Sequence, residues 1–290
     1  MSLFFFFVQL LNAVQYGLIL YLVASGLTLL LGVMGVINLA HGVFYMVGAY
    51  IAFAVVEHVG SFWLALPVGI LAGLAFGAAL ERLLLSRLDP ADHLSQVLLS
   101  FGLIILLNEG QRLVFGSDAH AVAMPRGLDL SIPLSDTLSY PVYRLFVCAV
   151  GIAFVAVIHL VMSGTRVGMM LRASAENRDM ARALGVKVST IYLGVTAAGI
   201  ACAVAAGVIA APLASVYPGM GDQTLILSFV IVVLGGMGSI HGALASALLL
   251  GLIDAFGKQF FPDYAAFLVY AAMIAVLIAR PQGLIRGNGA

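Results

Sequence analysis

Asn38, His41 and Gly42 interrupt an otherwise apolar stretch in VINLAHG. An amide beside an imidazole, held within hydrocarbon, suits either of two tasks. It can line a translocation path or gate, or it can cap a helix end near the interface, with Asn38 capping a segment that begins near His41. Gly35 and Gly42 flank the pair and can break a helix there, freeing backbone groups. Both readings fit, and they are compatible. Asp254 and Lys258, four apart, share a helix face; they read as a structural ion pair near the outer interface or, more sharply, as a proton relay. Gln96 and Ser100 lie one turn apart and face either a polar path or a neighbouring helix. Glu81 with Arg82, and Asn108 with Glu109, fall at segment ends, where long side chains reach water cheaply.

Enzyme chemistry has little to stand on. The six histidines are scattered, no His-Glu-x-x-His motif occurs, and no metal-ligand spacing or nucleophile–base pair is visible. No Walker A sequence is present either. The nearest approach, Gly251 to Lys258, ends in Gln259 where Ser or Thr is required, so ATP has no site by that route. No cofactor or metal is expected, and nothing points to nucleic acid.

The elements that must position these residues follow from composition. The 290 residues are 63% hydrophobic and only 9% charged, against about 25% charged in soluble domains, and the mean hydropathy is +1.13. Apolar runs near the roughly 20 residues of a spanning helix recur. This predicts an all-α polytopic membrane protein of eight to ten transmembrane or re-entrant helices, in one transmembrane domain over 1–290. Nine segments stand out, near 4–32, 42–56, 62–81, 94–108, 141–163, 191–211, 223–236, 239–257 and 264–280. The short ones, 42–56 and 223–236, read as possible broken or re-entrant helices. The first is read as a retained span, since it lacks a basic leader and is too long for a signal-peptide core. Cys148 and Cys202 lie inside apolar runs and read as small packing residues.

Charge sets the sidedness. The segment 164–190 carries Arg166, Arg172, Arg178, Arg182 and Lys187 against Glu176 and Asp179. Arg82 and Arg87, then Arg280 and Arg286, mark two more basic ends, and all three belong in the cytoplasm. The stretch 109–140 sets Arg112 and Arg126 against Glu109, Asp118, Asp129 and Asp136, which suits the outside. Nine spans satisfy every placement if the N-terminus is outside. Gly69, Gly73 and Gly77 repeat at spacing four and predict a helix-packing face. LGVMGVINLAHG (31–42) echoes LGGMGSIHG (234–242), each lying between apolar segments, as transporter repeats do.

The basic loop has its own pattern. From Met169 to Leu184 strong helix formers mix Met, Ala and Leu with Arg and Glu, and Gly185 follows as a C-cap. A short amphipathic helix of this kind fits a groove on a protein partner or the surface of anionic lipid.

These motifs together resemble a known family. GLTLLLGVMGVINLAHGVFYMVGAYIA (26–52), TRVGMMLRASAENRDMARALGV (165–186), AAPLASVYPGMGDQTLILSFVIVVLGGMGSIHGALASALLLG (210–251) and LIARPQGLIRG (277–287) are similar to bacterial ABC-importer permeases for branched-chain amino acids, of the LivH type. One departure is His241 in GSIHGA, where relatives commonly carry proline. The resemblance implies a multi-pass subunit of the bacterial inner membrane, moving branched-chain amino acids by alternating access. Relatives with similar signatures take up urea, short amides or other amino acids. It also implies a second permease of the LivM type, two cytoplasmic ATPase subunits and a periplasmic binding protein. Ala175, Glu176, Arg178, Arg182 and Gly185 would then form the coupling element gripped by an ATPase, with Asn38, His41 and Gly42 on the substrate pathway. An ion-coupled secondary transporter using Asp254 or Glu109 is the competing reading.

Overall fold

The computed structural model describes residues 3–88, 92–135 and 138–285; Asp136 and Arg286, used above for sidedness, lie outside the described residues. Helices dominate. They are α1 (Leu3–Leu29, continued by one π-helical turn, Leu30–Met34), α2 (His41–Val59), α3 (Phe62–Leu83), α4 (His93–Phe115), α5 (Val142–Gly164), α6 (Arg166–Glu176), α7 (Arg178–Ala183), α8 (Val188–Ala210), α9 (Met220–Gly235), α10 (Ile240–Phe260) and α11 (Ala265–Ala279). Among the described residues eight helical segments are long and apolar enough to cross a membrane, and α9, at 16 residues, is a shorter apolar helix. The only sheet among them is a hairpin of β1 (Ser131–Ser135) and β2 (Leu138–Pro141), antiparallel with Ile132 opposite Tyr140.

Small residues let the core helices approach. A methyl group added at Gly73 would lie 2.7 Å from the Ala201 Cα, and one at Gly77 would lie 2.7 Å from the Ala197 Cα, so the glycine stripe of α3 is the face that meets α8. Gly48 and Gly207 do the same where α2 crosses α8, against Val204 and Tyr45 respectively. α8 is consequently the most enclosed of the later helices, and α1 is buried along most of its length. In contrast α4, α5 and α11 turn most of their surface outward.

Pairings fix the directions. Gly17 meets Ala247 and Gly251 meets Ala13, while Gln9 Nε2 donates to Gln259 Oε1 at 3.1 Å, so α1 and α10 run antiparallel. Arg144 Nη1 donates to Asn12 Oδ1 at 2.6 Å, and Gly151 meets Leu18, so α5 runs alongside α1 in the same sense. One end of the bundle therefore gathers the ends of α1, α3 and α5, the starts of α8 and α10, and the α6–α7 segment. The tail joins it there, where Leu284 N–H donates to the Leu234 carbonyl at 2.7 Å. This end carries Arg82, Arg87, Arg166, Arg172, Arg178, Arg182, Lys187 and Arg280, and it is the end the positive-inside rule predicts to face the cytoplasm. Lys258 pairs with Asp254 at 2.7 Å at the opposite end, with its ammonium exposed.

The expected elements need two corrections. The segment at 42–56 is an unbroken helix, and the break lies before it, at Gly35–Ala40. The single helix expected from Met169 to Leu184 is two, because Asn177 adopts an extended conformation and its Oδ1 accepts from Met180 N–H at 2.9 Å. An Asn side chain that serves the backbone in this way competes with helix continuation.

Candidate functional site

α1 does not stop cleanly. Its last turn widens to a π-helix, and Gly35 follows in the left-handed region at φ +67°. That conformation ends the helix, costs glycine almost nothing, and leaves the last carbonyls without intrahelical partners. Residues 36–38 belong to no helix or strand, and α2 then starts at His41 inside the bundle. His41 Nε2 lies 2.9 Å from the carbonyl oxygen of Val23, about three helical turns before Met34. The chain has thus folded back along α1 before resuming as a helix. A discontinuous helix with its break turned inward is tolerated where protein shields the freed backbone groups.

The break is held from several sides. Asn38 Oδ1 accepts from Ala40 N–H at 3.0 Å, a turn two residues long, while Ala40, the residue before α2, gives no side-chain cap. Gln96 Oε1, from α4, accepts from Ile37 N–H at 3.2 Å. Arg178, from α7, donates through Nη2 to the Met34 carbonyl. Gly42 packs against Gly221 and Leu225 of α9, with no room for a side chain. Asn38 and His41 are 2% and 0% exposed, yet Asn38 Nδ2 and His41 Nδ1 find no partner. Buried polar atoms without partners cost about 1–3 kcal/mol each and are rare enough to mark a functional or strained place.

The echoed segments meet in space. Gly35 and Gly238 occupy the corresponding place in the two copies and both have positive φ, +67° and +79°. A methyl added at Gly32 would lie 2.5 Å from the Gly238 Cα, so the first copy rests on the second. Each copy leads into a helix that opens with a His-Gly pair, α2 at His41 and α10 at Ile240. In the second copy Ser239 Oγ accepts from Gly242 N–H at 3.1 Å and caps α10 directly. His241 sits there with its Nε2 3.1 Å from His159 Nδ1 of α5.

A cleft of ≈ 540 Å³ opens at the basic end beside the break, lined among others by Met34, Glu81, Gln96, Arg182, Thr190 and Tyr192. Glu81 departs from expectation. Its carboxylate does not reach water at a helix end; the residue is 5% exposed. Oε2 accepts from Thr196 Oγ1 at 2.8 Å across the α3–α8 contact. Segment position alone could not find this, because the burying surface comes from α8. Among the described residues no group of three or more His, Cys, Asp or Glu is placed to hold a metal ion.

The α6–α7 segment presents its charged side outward. Ala175, Glu176, Arg182 and Gly185 are exposed, as are Met180 and Leu184, while Arg178 turns inward. Gly185 (φ +87°) ends α7: its N–H bonds to the Arg182 carbonyl and that of Val186 to Ala181, the paired bonds of a Schellman cap. Arg182 pairs with Asp179 at 3.6 Å on the exposed face, worth little in stability. The residues proposed from sequence therefore fall in two groups, Asn38, His41 and Gly42 inside the bundle and the α6–α7 residues at its basic end, and Arg178 touches both.

A discontinuous first helix, an internal echo whose two copies pack on each other, and a basic helical segment at one end define a multi-pass membrane transport protein. Over residues 9–277 the sequence matches the family described as branched-chain amino acid transport system, permease component. The chain belongs to that family. It is 32% identical to the high-affinity branched-chain amino acid transport system permease protein BraD of Pseudomonas aeruginosa, over 96% of this chain and 94% of the relative. It is 28% identical to LivH of Salmonella typhimurium over 97% and 96%. It is also 29% identical to LivM of Escherichia coli, over 92% of this chain and 68% of the relative. No solved structure matches.

Proposed function

We propose that the chain is one permease subunit of an ATP-driven importer that carries branched-chain amino acids inward across the bacterial inner membrane by alternating access. The observation that carries this reading is the break at Gly35–Ala40, in a chain whose relatives are permease proteins for those amino acids. Asn38, His41 and Gly42 stand on the substrate pathway in this reading. The unpartnered Asn38 Nδ2 and His41 Nδ1 are groups that gain partners when the break opens.

ATP hydrolysis belongs to two partner ATPase subunits, since the chain has no Walker A sequence. Residues 164–190 form their coupling loop within a single permease domain, through Ala175, Glu176, Arg178, Arg182 and Gly185. The exposed apolar pair of Met180 on α7 and Leu184 at its C-terminal cap, four residues apart, supports a protein groove over water as the neighbour. A second permease of the LivM type and a periplasmic binding protein complete the assembly; similarity to both LivH and LivM relatives supports two related permeases side by side.

Reconstitution with these partners in proteoliposomes tests the reading. ATP should drive leucine uptake, and competition with isoleucine and valine should exceed that with urea, short amides or polar amino acids. Leucine flux through the chain alone, or uptake abolished by an ionophore, would sink the importer reading in favour of an ion-coupled transporter.

A further inference from the structure

The role of Arg178 is separable from that of its neighbours on α7. Arg182, Met180 and Leu184 face outward, but the Arg178 guanidinium enters the bundle. It donates to the Met34 carbonyl, one of those freed where α1 ends. It lies 5.4 Å from the centroid of the Tyr192 ring on α8. A methyl added at Gly35 would meet Arg178 Nη2 at 3.4 Å, so the guanidinium covers the residue at which the chain reverses. A guanidinium keeps its charge at any physiological pH and forms a charge-assisted bond to a carbonyl at the negative end of a long helix. The attachment on α7 is short, since Arg178 directly follows the Asn177 break and Ala181 behind it is buried against the bundle.

We infer that Arg178 is a positioning residue that ties α7 to the Met34–Gly35 turn, so that displacement of the cytoplasmic segment is delivered to residues 35–40 and from there to Asn38 and His41. This rests on the importer reading for its function, though the tie itself does not. α6 meets the same turn through Leu171, which packs with Leu30, Val33, Met34 and Val36, and Arg178 adds the polar link from α7. The Tyr192 ring gives the guanidinium a second, cation–π contact on α8. Gln96 anchors the far side of the same loop through Ile37, so a pull at Met34 acts against a fixed point.

Two measurements test it. In the reconstituted importer, Arg178→Gln should lower the substrate moved per ATP hydrolysed by about tenfold, the population shift expected from losing one charge-assisted bond. Arg178→Lys should restore part of that ratio, since a lysine still donates. A merely structural role lowers hydrolysis and uptake together and leaves the ratio unmoved, which would overturn the tie. The second measurement needs no transport. In a chain with Cys148 and Cys202 replaced by alanine and Val36→Cys as reporter, maleimide labelling should rise about tenfold with Arg178→Gln, on the same estimate. Tyr192→Leu, which leaves Arg178 in place, should raise it by a smaller factor and serves if Arg178→Gln does not insert. Labelling equal to the parent in both variants would overturn the tie even in a working importer. Increased labelling in a complex that moves no amino acid would keep the tie and reject the importer reading.

Discussion

His41 Nε2 sits 2.9 Å from the Val23 carbonyl, joining the first residue of α2 to the middle of α1. Serine or threonine commonly takes a mid-helix carbonyl from within its own helix; here an imidazole takes it from the next helix. The bond holds the returning chain against α1, and its depth makes the break an internal feature. His41→Ala would remove the bond, empty the space of a fully buried ring, and leave the Val23 carbonyl with one partner fewer. Loss of about 2–4 kcal/mol is expected from cavity and hydrogen bond together. Thermal unfolding in detergent should show a lowered midpoint, with His41→Gln less affected than His41→Ala.

Gly77 and Gly73 admit α8 to the α3 surface, and neither has room for a β-carbon. Gly77→Val or Gly73→Val must separate the two helices or distort one. Each should destabilise by about 1–3 kcal/mol, read as a drop in unfolding midpoint. Valine at Gly102 of α4, where nothing lies within 4 Å of an added methyl, is the control and should change little.

The Glu81–Thr196 bond makes a different prediction, because a buried carboxylate is expensive without its partner. Thr196→Val keeps the shape, removes the donor, and should cost about 1–3 kcal/mol. Glu81→Gln keeps an acceptor for Thr196 and discards the buried charge, so it should be neutral or stabilising. A Glu81→Gln protein as unstable as Thr196→Val would show that the charge itself holds α3 to α8.

At Gly35, alanine would have to adopt a left-handed backbone at a cost of about 1–2 kcal/mol, and its methyl would come into contact with Arg178 at 3.4 Å. Gly60, also left-handed but with open space around it, isolates the backbone cost alone. Gly35→Ala and Gly60→Ala should therefore lose similar stability, and Gly35→Ala alone should alter uptake. Uptake intact in both would show that the turn after α1 carries no functional constraint.

On the outer face of α7, Met180→Glu with Leu184→Glu replaces an exposed apolar pair by charge without touching a buried group. Membrane insertion should be unchanged, and co-purification of the ATPase subunits should fall by about tenfold or more, as expected for losing the anchors of a docked helix. Retained co-purification would place the ATPase contact elsewhere on the basic end.

Much of this was legible in the chain order. Hydropathy marked every membrane segment the structure contains, because the length of an apolar run is a local property that the bilayer reads directly. The basic loops marked one end, and the pairing of α1 with α10 and α5 puts those loops together. The glycine stripe on α3 and the Asp254–Lys258 pair were visible as spacings of four. The echo of Gly-x-Met-Gly with His-Gly was visible too, and it corresponds to two left-handed glycines that end up stacked.

What the tertiary structure alone decided is where the polar groups at the segment ends went. Glu81 looked like a residue at a water interface until α8, over a hundred positions later in the chain, covered it and supplied Thr196. Arg178 looked like one more outward charge of a basic loop until the Met34 carbonyl, 144 residues away, accepted its hydrogen bond. Asn177 broke a helix that composition favoured, because its side chain found a nearer backbone donor. Sequence sets which segments leave water and which end is positive. The partner of each polar group depends on which surfaces meet in space, and the order of the chain does not record that.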